Sequence, residues 1–262
     1  MTTDTAPINL NADLGEGMGQ DAALLGVVQS ANIACGGHAG DAASIGLAVR
    51  GALAHGVDIG AHPSFEDREG FGRRRMVLPH PAIRALVVRQ IQTLAAVAHA
   101  EGGHLCHVKP HGALHNMACN DFALSRTIVS AILEASPHYA LVLLAPCLSP
   151  LLQAGLDAGL PVVAEAYADR RYQDDGQLAP RQTPGAVLHQ PEDCAAHVRA
   201  MLARQGLVTT QGHTLPTAIQ SICVHGDNVQ ALASAQLVRD MLAQTGHRPA
   251  QLGALAMRHT QS

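Results

Sequence analysis

The sequence predicts an α/β protein that folds as a single (β/α) barrel. Short apolar strands alternate with segments of helical periodicity seven or eight times along the 262 residues. No linker-like stretch interrupts this alternation, and polar residues recur where the strands end. We therefore expect one domain over residues 1–262, in which residues 246–262 form a tail. An open, doubly wound sheet is the second architecture that the same alternation allows.

The composition argues against several classes of protein. Hydrophobic residues make up 47% and charged residues 15% of the chain, and the formal net charge is −4. Since residues 73–75 are the main basic cluster, we expect no nucleic-acid partner. No apolar stretch approaches the roughly 20 residues of a membrane span, and the polar residues 1–5 are unlike a signal peptide. The six cysteines lack CxxC spacing, so we expect reduced thiols and a cytoplasmic location.

The first three predicted strands carry polar residues on one face or at their carboxyl ends. A second strand, 31–35, leads into a glycine-rich turn that contains His38, and a third, 57–62, ends at His62 before a proline. In the first strand, residues 8–13, apolar and polar side chains alternate strictly. The polar side chains on its shared face are Asn9, Asn11 and Asp13.

The helices between the strands have recognisable ends. Asp41 is expected to cap a helix that Gly56 terminates. Pro81 suits the first turn of a long helix, because a proline there loses no hydrogen bond. A further helix is expected to start at Asn120 or Asp121.

Residues 104–112 form the fourth predicted strand and the most unusual one. His107, Lys109 and His111 share one face if the extended conformation continues through Pro110. Lys109 is also the only lysine in the chain, and its compact ammonium has a tunable pKa, unlike that of a guanidinium. Burying three such groups without partners is costly. We therefore favour a functional site here over a strand end that simply meets solvent.

The second half of the chain continues the alternation. A continuous apolar run at 139–145 is typical of a strand covered on both faces. The next strand, 161–167, contains Glu165 and runs into Asp169 and Arg170. The remaining predicted elements are a short helix at 149–159, a seventh strand at 186–189, a helix at 191–205, a hairpin at 207–215, a last strand at 221–225 with His225, and a helix that starts near Asp227.

The polar residues of these strands are expected to meet at one rim. In both candidate architectures the active site lies at the carboxyl ends of the parallel strands. A packed barrel interior would normally consist of Val, Ile and Leu, so repeated polar residues indicate a site. The candidates are Asn9, Asn11, Asp13, His38, His62, His107, Lys109, His111, Glu165, Asp169, His225 and Asp227.

Two kinds of ligand are compatible with these residues. A carboxylate and two imidazoles from Asp13, His38 and His62 could bind a divalent metal, although a hydrogen-bonded cluster without metal fits the same pattern. Arg73 or Arg170 could hold a carboxylate group in two hydrogen bonds, or could form salt bridges with nearby acidic residues.

Taken together, these segments resemble the LamB/YcsF family of 5-oxoprolinase A subunits. The matching motifs occur in the family's order and extend to about residue 242. Small departures are His115, where the family usually has Tyr, and Gly37, where Phe is common. The matching stretches are residues 9–16, 30–41, 59–63, 70–74, 107–114, 168–170 and 223–227.

The resemblance implies a fold and an activity. The fold is expected to be a seven-stranded barrel like that of the glycoside hydrolase/deacetylase group. The activity is expected to be opening of the lactam of 5-oxo-L-proline to L-glutamate, coupled to ATP hydrolysis, in a complex with subunits B and C. ATP with Mg²⁺, which those partners could bind, is the implied cofactor, and a divalent metal on Asp13, His38 and His62 stays open from the residue pattern alone. The other activities considered are a metal-dependent deacetylase or carbohydrate hydrolase and a non-catalytic substrate-binding subunit.

With that activity in view, we assign chemical roles to the candidate residues by type. Asp13 would be a base or metal ligand beside His38 and His62, and Lys109 would stabilise negative charge. His107 and His111 would assist Lys109, and Glu165 or Asp227 would move protons. The residues expected to bind substrate are Asn9, Asn11, Arg73, Asp169, Arg170 and His225.

Overall fold

The barrel is closed by seven parallel strands. The computed structural model describes residues 6–138, 140–226 and 229–259. The strands follow the order β1-β2-β3-β4-β5-β6-β9, and β9 pairs with both β6 and β1. The predicted single barrel is therefore confirmed, and the open sheet is excluded. The barrel strands are β1 (Asn9–Leu14), β2 (Ser30–Ala34), β3 (Asp58–His62), β4 (His107–Val108), β5 (Val142–Pro146), β6 (Val162–Tyr167) and β9 (Ser221–Val224).

Helices surround the barrel and use the predicted caps. Asp41 accepts a hydrogen bond from the backbone N–H of Ser44, and Gly56 ends that helix in a left-handed conformation. Asp121 caps a later helix in the same way. The helices are α1 (Asp21–Leu25), α2 (Ala42–His55), α3 (His80–Ala100), α4 (Gly112–Ala118), α5 (Phe122–Ala135), α6 (Pro150–Asp157), α7 (Pro191–Ala203), α8 (Ala231–Gln244) and α9 (Leu252–His259).

None of the helices in the described ranges is both long and apolar enough to span a bilayer.

Two predicted strands need correction. Residues 186–189 form no barrel strand, because β6 pairs directly with β9, and Val187 makes only an isolated bridge to Arg170. The fourth strand is much shorter than predicted. Pro110 carries no N–H, and α4 starts at Gly112, so β4 is confined to two residues. The hairpin is confirmed as β7 (Gly206–Val208) and β8 (Thr214–Pro216), which pair outside the barrel.

The C-terminal segment closes the amino end of the barrel. Leu252 and Leu255 of α9 pack against β5 and β6. Asn9 donates a hydrogen bond of 2.8 Å to the carbonyl of Ala250, and Asp58 accepts one of 2.8 Å from the backbone of Leu252. This closure leaves the carboxyl ends of the strands as the open end of the barrel.

The barrel interior is polar above this closure. Asn11, Asn32 and His107 are fully buried, and Asn32 donates to Asn11 on the neighbouring strand β1 and accepts from His107 on β4, across β3. Gly60 makes room for this arrangement, since a Cβ atom at that position would lie only 2.0 Å from Nε2 of His107. These hydrogen bonds restrict the positions of the side chains above them, although Nδ1 of His107 and Oε2 of Glu165 have no hydrogen-bond partner among the described residues.

Candidate active site

A cavity of about 560 Å³ opens at the carboxyl ends of the barrel strands. Asp13, His62 and Lys109 lie at its inner end, and Tyr167 and His225 line its wall. These five residues come from five different barrel strands or the loops that follow them. The site therefore exists only in the closed barrel, and its position agrees with the expected rim.

Lys109 is buried beside two carboxylates, which favour its charged ammonium form. Its side chain is 2% exposed, and its Nζ atom lies 3.1 Å from Asp13, 3.2 Å from Glu165 and 2.9 Å from the sulfur of Cys223. Burial would lower the pKa of Lys109, but Asp13, Cys223 and Glu165 outweigh that effect and hold the pKa well above its usual value. Burial also keeps the pKa of the Cys223 thiol high, so that it is a neutral hydrogen-bond partner.

Asp13 is the anionic partner of Lys109. Burial alone would raise the pKa of Asp13, but its interactions with His62 and Lys109 hold that pKa well below its ordinary value. Its carboxylate accepts a 2.9 Å hydrogen bond from Asn32, and its other oxygen lies 3.4 Å from Nε2 of His62. An ionised carboxylate at this position can orient a water molecule or a polar substrate group.

Below this pair, two predicted site residues act as supports. Asn11 donates to Glu165 at 2.8 Å and accepts from Asn32 at 2.7 Å. His107 donates through Nε2 to Asn32 at 2.8 Å, so its ring holds the amide that contacts Asp13. Burial lowers the pKa of His107 to about 3, which keeps the ring neutral. Neither Asn11 nor His107 lines the cavity.

Asn9 does not lie where a substrate-binding role would require. Its side chain is fully buried at the closed end of the barrel and bonds to Ser30, Ser221 and Ala250. The hydrogen-bonding groups of Asn9 are thus used beneath the site, away from the cavity in which the prediction placed it.

Three histidines and Glu16 form a cluster beside Asp13. His62 and His111 approach to 2.9 Å through Nε2 and Nδ1, and Nε2 of His38 lies 3.0 Å from Glu16. The rings of His38 and His111 stack with centroids 3.7 Å apart. Burial lowers the pKa of His38 to about 3 and holds the pKa of His111 well below its usual value, so both rings are neutral.

Gly72 makes the stacking of these rings feasible. Its backbone has φ +66°, and a Cβ atom there would lie 2.8 Å from Cβ of His38 and 3.0 Å from Cδ2 of His111. A side chain at residue 72 would therefore meet both histidines and strain the backbone. Of the three residues predicted as metal ligands, His38 and His62 lie together with Glu16 and His111, whereas Asp13 lies with Cys223 and His225.

His225 and Asp169 form a second titratable pair on the cavity wall. Nδ1 of His225 lies 2.9 Å from both carboxylate oxygens of Asp169, and Nε2 faces Asp13 at 4.0 Å. Its ring stacks on Tyr167 with centroids 5.3 Å apart. Burial would lower the pKa of His225, but Asp169 outweighs it and raises the pKa. Asp169 therefore favours the imidazolium form of His225, which can donate a proton through Nε2.

The predicted arginines differ in how they can meet a substrate. Arg73 lines the cavity, and its guanidinium lies 4.9 Å from the centroid of Phe71. Arg170 also lines the cavity, but it is buried and donates to the carbonyl of Ala179 at 2.7 Å. Arg170 thus ties the loop at 179 to the site, whereas Arg73 is exposed at the mouth.

Several residues of the site were not predicted. Glu16 follows β1 in a glycine-rich loop where no periodicity marks its direction. Tyr167 ends a strand that reads as apolar, and its hydroxyl pairs with Nε2 of His115 at 3.0 Å. The position of Glu16 three residues after Asp13 was the available signal.

Two more of the predicted site residues are Glu165 and Asp227. Glu165 is fully buried beneath Lys109, outside the cavity, and Asp227 lies outside the described residues.

Comparison with known proteins gives a consistent result. The LamB/YcsF family profile matches residues 8–257. The chain is 50% identical over 244 residues to a protein from Azoarcus sp. (strain BH72) that is named as the A subunit of 5-oxoprolinase, a match that covers 91% of this chain and 94% of that relative. The lactam utilization protein from Thermus thermophilus is 39% identical, with a TM-score of 0.84, over 93% of this chain and 98% of that structure.

Proposed function

The chain belongs to the LamB/YcsF family, and on that premise we propose that it is the A subunit of a 5-oxoprolinase. Its reaction would open the lactam of 5-oxo-L-proline to L-glutamate with hydrolysis of ATP. The observation that carries this proposal is the 50% identity, across 91% of the chain, to a relative that bears the name of the 5-oxoprolinase A subunit. The buried cation at the inner end of a polar cavity supports it, because lactam opening develops negative charge on oxygen.

ATP is needed because a five-membered lactam resists hydrolysis. Transfer of the terminal phosphoryl group of ATP to the lactam oxygen gives ADP and an activated carbon. Addition of one water and cleavage of the C–N bond then leave an acyl phosphate, which a second water hydrolyses to the carboxylate and free phosphate. One lactam, one ATP and two waters give one glutamate, one ADP and one phosphate, so the atoms balance.

The site residues supply what this sequence of steps needs. Lys109 would stabilise the negative charge on the lactam oxygen or on a phosphoryl group. The imidazolium of His225, held by Asp169, would protonate the departing nitrogen, and the ionised Asp13 would orient the attacking water. Arg73 at the cavity mouth would bind the substrate carboxylate.

Partner subunits B and C belong to the proposal. The name of the Azoarcus relative describes one lettered subunit, which supports a multi-subunit enzyme. ATP with Mg²⁺ would be bound at least partly by those partners. ATP-dependent turnover of a small metabolite also fits the proposed cytoplasmic location.

Reconstitution tests this function. The full chain is mixed with subunits B and C from the same source, and glutamate release from 5-oxo-L-proline is measured with and without ATP. We expect turnover only with all three chains and ATP. Hydrolysis of an acetylated sugar by the isolated chain without ATP would favour the deacetylase or carbohydrate hydrolase alternative. Unchanged turnover in every variant of the cavity residues would favour a non-catalytic binding subunit.

A further inference from the structure

The cluster of His38, His62, His111 and Glu16 has a property that the lactam chemistry does not explain. We infer that these four residues bind a divalent first-row transition metal. One donor atom from each residue lies within 4.8 Å of the others. The set differs from the predicted one because it includes Glu16 and His111 in place of Asp13.

Two imidazoles of the cluster, those of His62 and His111, each use one ring nitrogen to contact a backbone carbonyl. Nδ1 of His62 lies 2.6 Å from the carbonyl oxygen of Lys109, and Nε2 of His111 lies 2.9 Å from that of Phe71. A carbonyl oxygen only accepts hydrogen bonds, so both of these nitrogens carry a hydrogen. In neutral rings, the opposite nitrogens, Nε2 of His62 and Nδ1 of His111, then carry lone pairs.

Those two bare nitrogens face each other at 2.9 Å. Two lone pairs at this separation repel unless a cation lies beside both of them. A hydrogen on Nε2 of His62, which also lies 3.4 Å from Oδ2 of Asp13, would relieve the repulsion as well, and the metal titration below separates the two cases. A metal ion that both nitrogens coordinate removes the repulsion without protonating a ring.

His38 and Glu16 lie on the other side of the cluster. Nε2 of His38 lies 3.0 Å from a carboxylate oxygen of Glu16, and Nδ1 lies 2.9 Å from the hydroxyl of Ser64. When that hydroxyl donates to the carbonyl of Phe65, which is 2.9 Å away, the ring donates through Nδ1 and Nε2 carries a lone pair. In this tautomer His38 and Glu16 present two neighbouring donor atoms to an ion.

The distances and the donor types suit a transition metal. Metal–ligand bonds of about 2.1 Å place neighbouring donor atoms roughly 3.0–3.4 Å apart. The closest pairs here are separated by 2.9, 3.0 and 3.6 Å. Three imidazoles with one carboxylate favour Zn²⁺, Fe²⁺ or a similar ion over Mg²⁺ or Ca²⁺, which prefer oxygen ligands.

The surroundings are those of a metal site. Metal-binding histidines generally donate their second ring N–H to a carbonyl or another polar group. His62 and His111 donate to carbonyl oxygens in this way, and Nδ1 of His38 faces the hydroxyl of Ser64. Glu16, His62 and His111 also line the cavity, which gives an ion a route of entry. A second donor group, Asp13, Cys223 and His225, contacts the ammonium of Lys109, whose charge opposes cation binding.

Metal binding is tested on the full chain, without a polyhistidine tag. The protein is stripped with a chelator and titrated with Co²⁺ and Zn²⁺. We expect one ion per chain, a visible Co²⁺ absorption typical of bound nitrogen ligands, and displacement of Co²⁺ by Zn²⁺. Absence of a bound-Co²⁺ spectrum in the wild-type chain would overturn the inference, whatever the variants do.

Variants identify the ligands. His111→Ala and His62→Gln should each weaken Zn²⁺ binding by more than about 100-fold, and Glu16→Gln by about 10-fold or more. His115→Tyr, a change of another buried histidine of the cavity, is the matched control and should bind normally. Loss of binding in Asp13→Asn together with normal binding in His111→Ala would overturn the assignment. Because the readout is metal binding, failure of this inference is distinguishable from failure of the proposed enzymatic function.

Discussion

The Nζ atom of Lys109 lies 3.1 Å from Oδ1 of Asp13, and neither side chain is more than 3% exposed. Removal of one member of a buried ion pair leaves an uncompensated charge, which typically costs about 3–5 kcal/mol of stability. Catalytic tests of this pair therefore need substitutions that keep the side-chain shape, together with a measurement of folding.

Gly72 tests whether the histidine stack is needed. Gly72→Ala should reduce turnover at least 10-fold, because its Cβ atom would lie 2.8 Å from Cβ of His38. Gly102→Ala is the matched control: Gly102 has φ +83°, but no atom lies within 4 Å of the position that a Cβ would take there. Both variants carry backbone strain of about 1–2 kcal/mol, measurable by denaturant unfolding. Equal turnover in the two variants would contradict the steric argument.

The pH dependence of turnover tests the His225–Asp169 pair. The raised pKa of His225 means that the proton donor is present below that pKa, so activity should fall as the pH rises through it. Asp169→Asn removes the carboxylate that raises the pKa. The alkaline limb of the kcat/KM profile should then move to lower pH. An unchanged alkaline limb in this variant would show that His225 is not the acid.

Arg73 tests how the substrate carboxylate is held. Arg73→Ala should raise KM for 5-oxo-L-proline by about 10- to 100-fold with a smaller change in kcat, because a hydrogen bond to a charged group contributes about 1.5–3 kcal/mol. Arg75→Ala is the control, since Arg75 is exposed and does not line the cavity. A similar KM for both variants would exclude Arg73 as the carboxylate ligand.

Neutral buried histidines should make the fold sensitive to acid. Burial lowers the pKa of His107 and of His115 to about 3, whereas the unfolded chain titrates near about 6.5. Between these values only the unfolded chain binds the protons, so the free energy of unfolding falls as pH falls. Each histidine contributes up to about 1.4 kcal/mol per pH unit. Denaturant unfolding of His115→Tyr between pH 7 and pH 4.5 should show a shallower decline; an identical decline would contradict this assignment.

The sequence pattern predicted which side chains point into the barrel better than it predicted how far each of them lies from the open end. Asn9 and Asp13 share a face of β1, but four residues of strand separate them by roughly 13 Å. Alternation identifies that face and cannot tell which end of the barrel is closed. That information comes from α9, where the apolar spacing of Leu252, Leu255 and Ala256 indicates a helix that the tail prediction overlooked.

Two other differences have similarly local causes. The apolar residues 186–188 read as a strand, but direct pairing between β6 and β9 leaves no position for it in the barrel. Glu16 lies in an irregular loop, so only the folded chain shows that it meets His38. By contrast, His62 and Lys109 were identified because each stands at or just after the carboxyl end of a strand.

The most direct test of the account is glutamate release by the reconstituted enzyme that contains Lys109→Met or Asp13→Asn. Native assembly with subunits B and C and a cooperative thermal transition are verified first for each variant. We predict a loss of ATP-dependent turnover of at least about 1000-fold in both, because the cation and its partner anion act at the reacting oxygen and water. Turnover within about threefold of wild type in folded, assembled variants would contradict the placement of the reaction in this cavity.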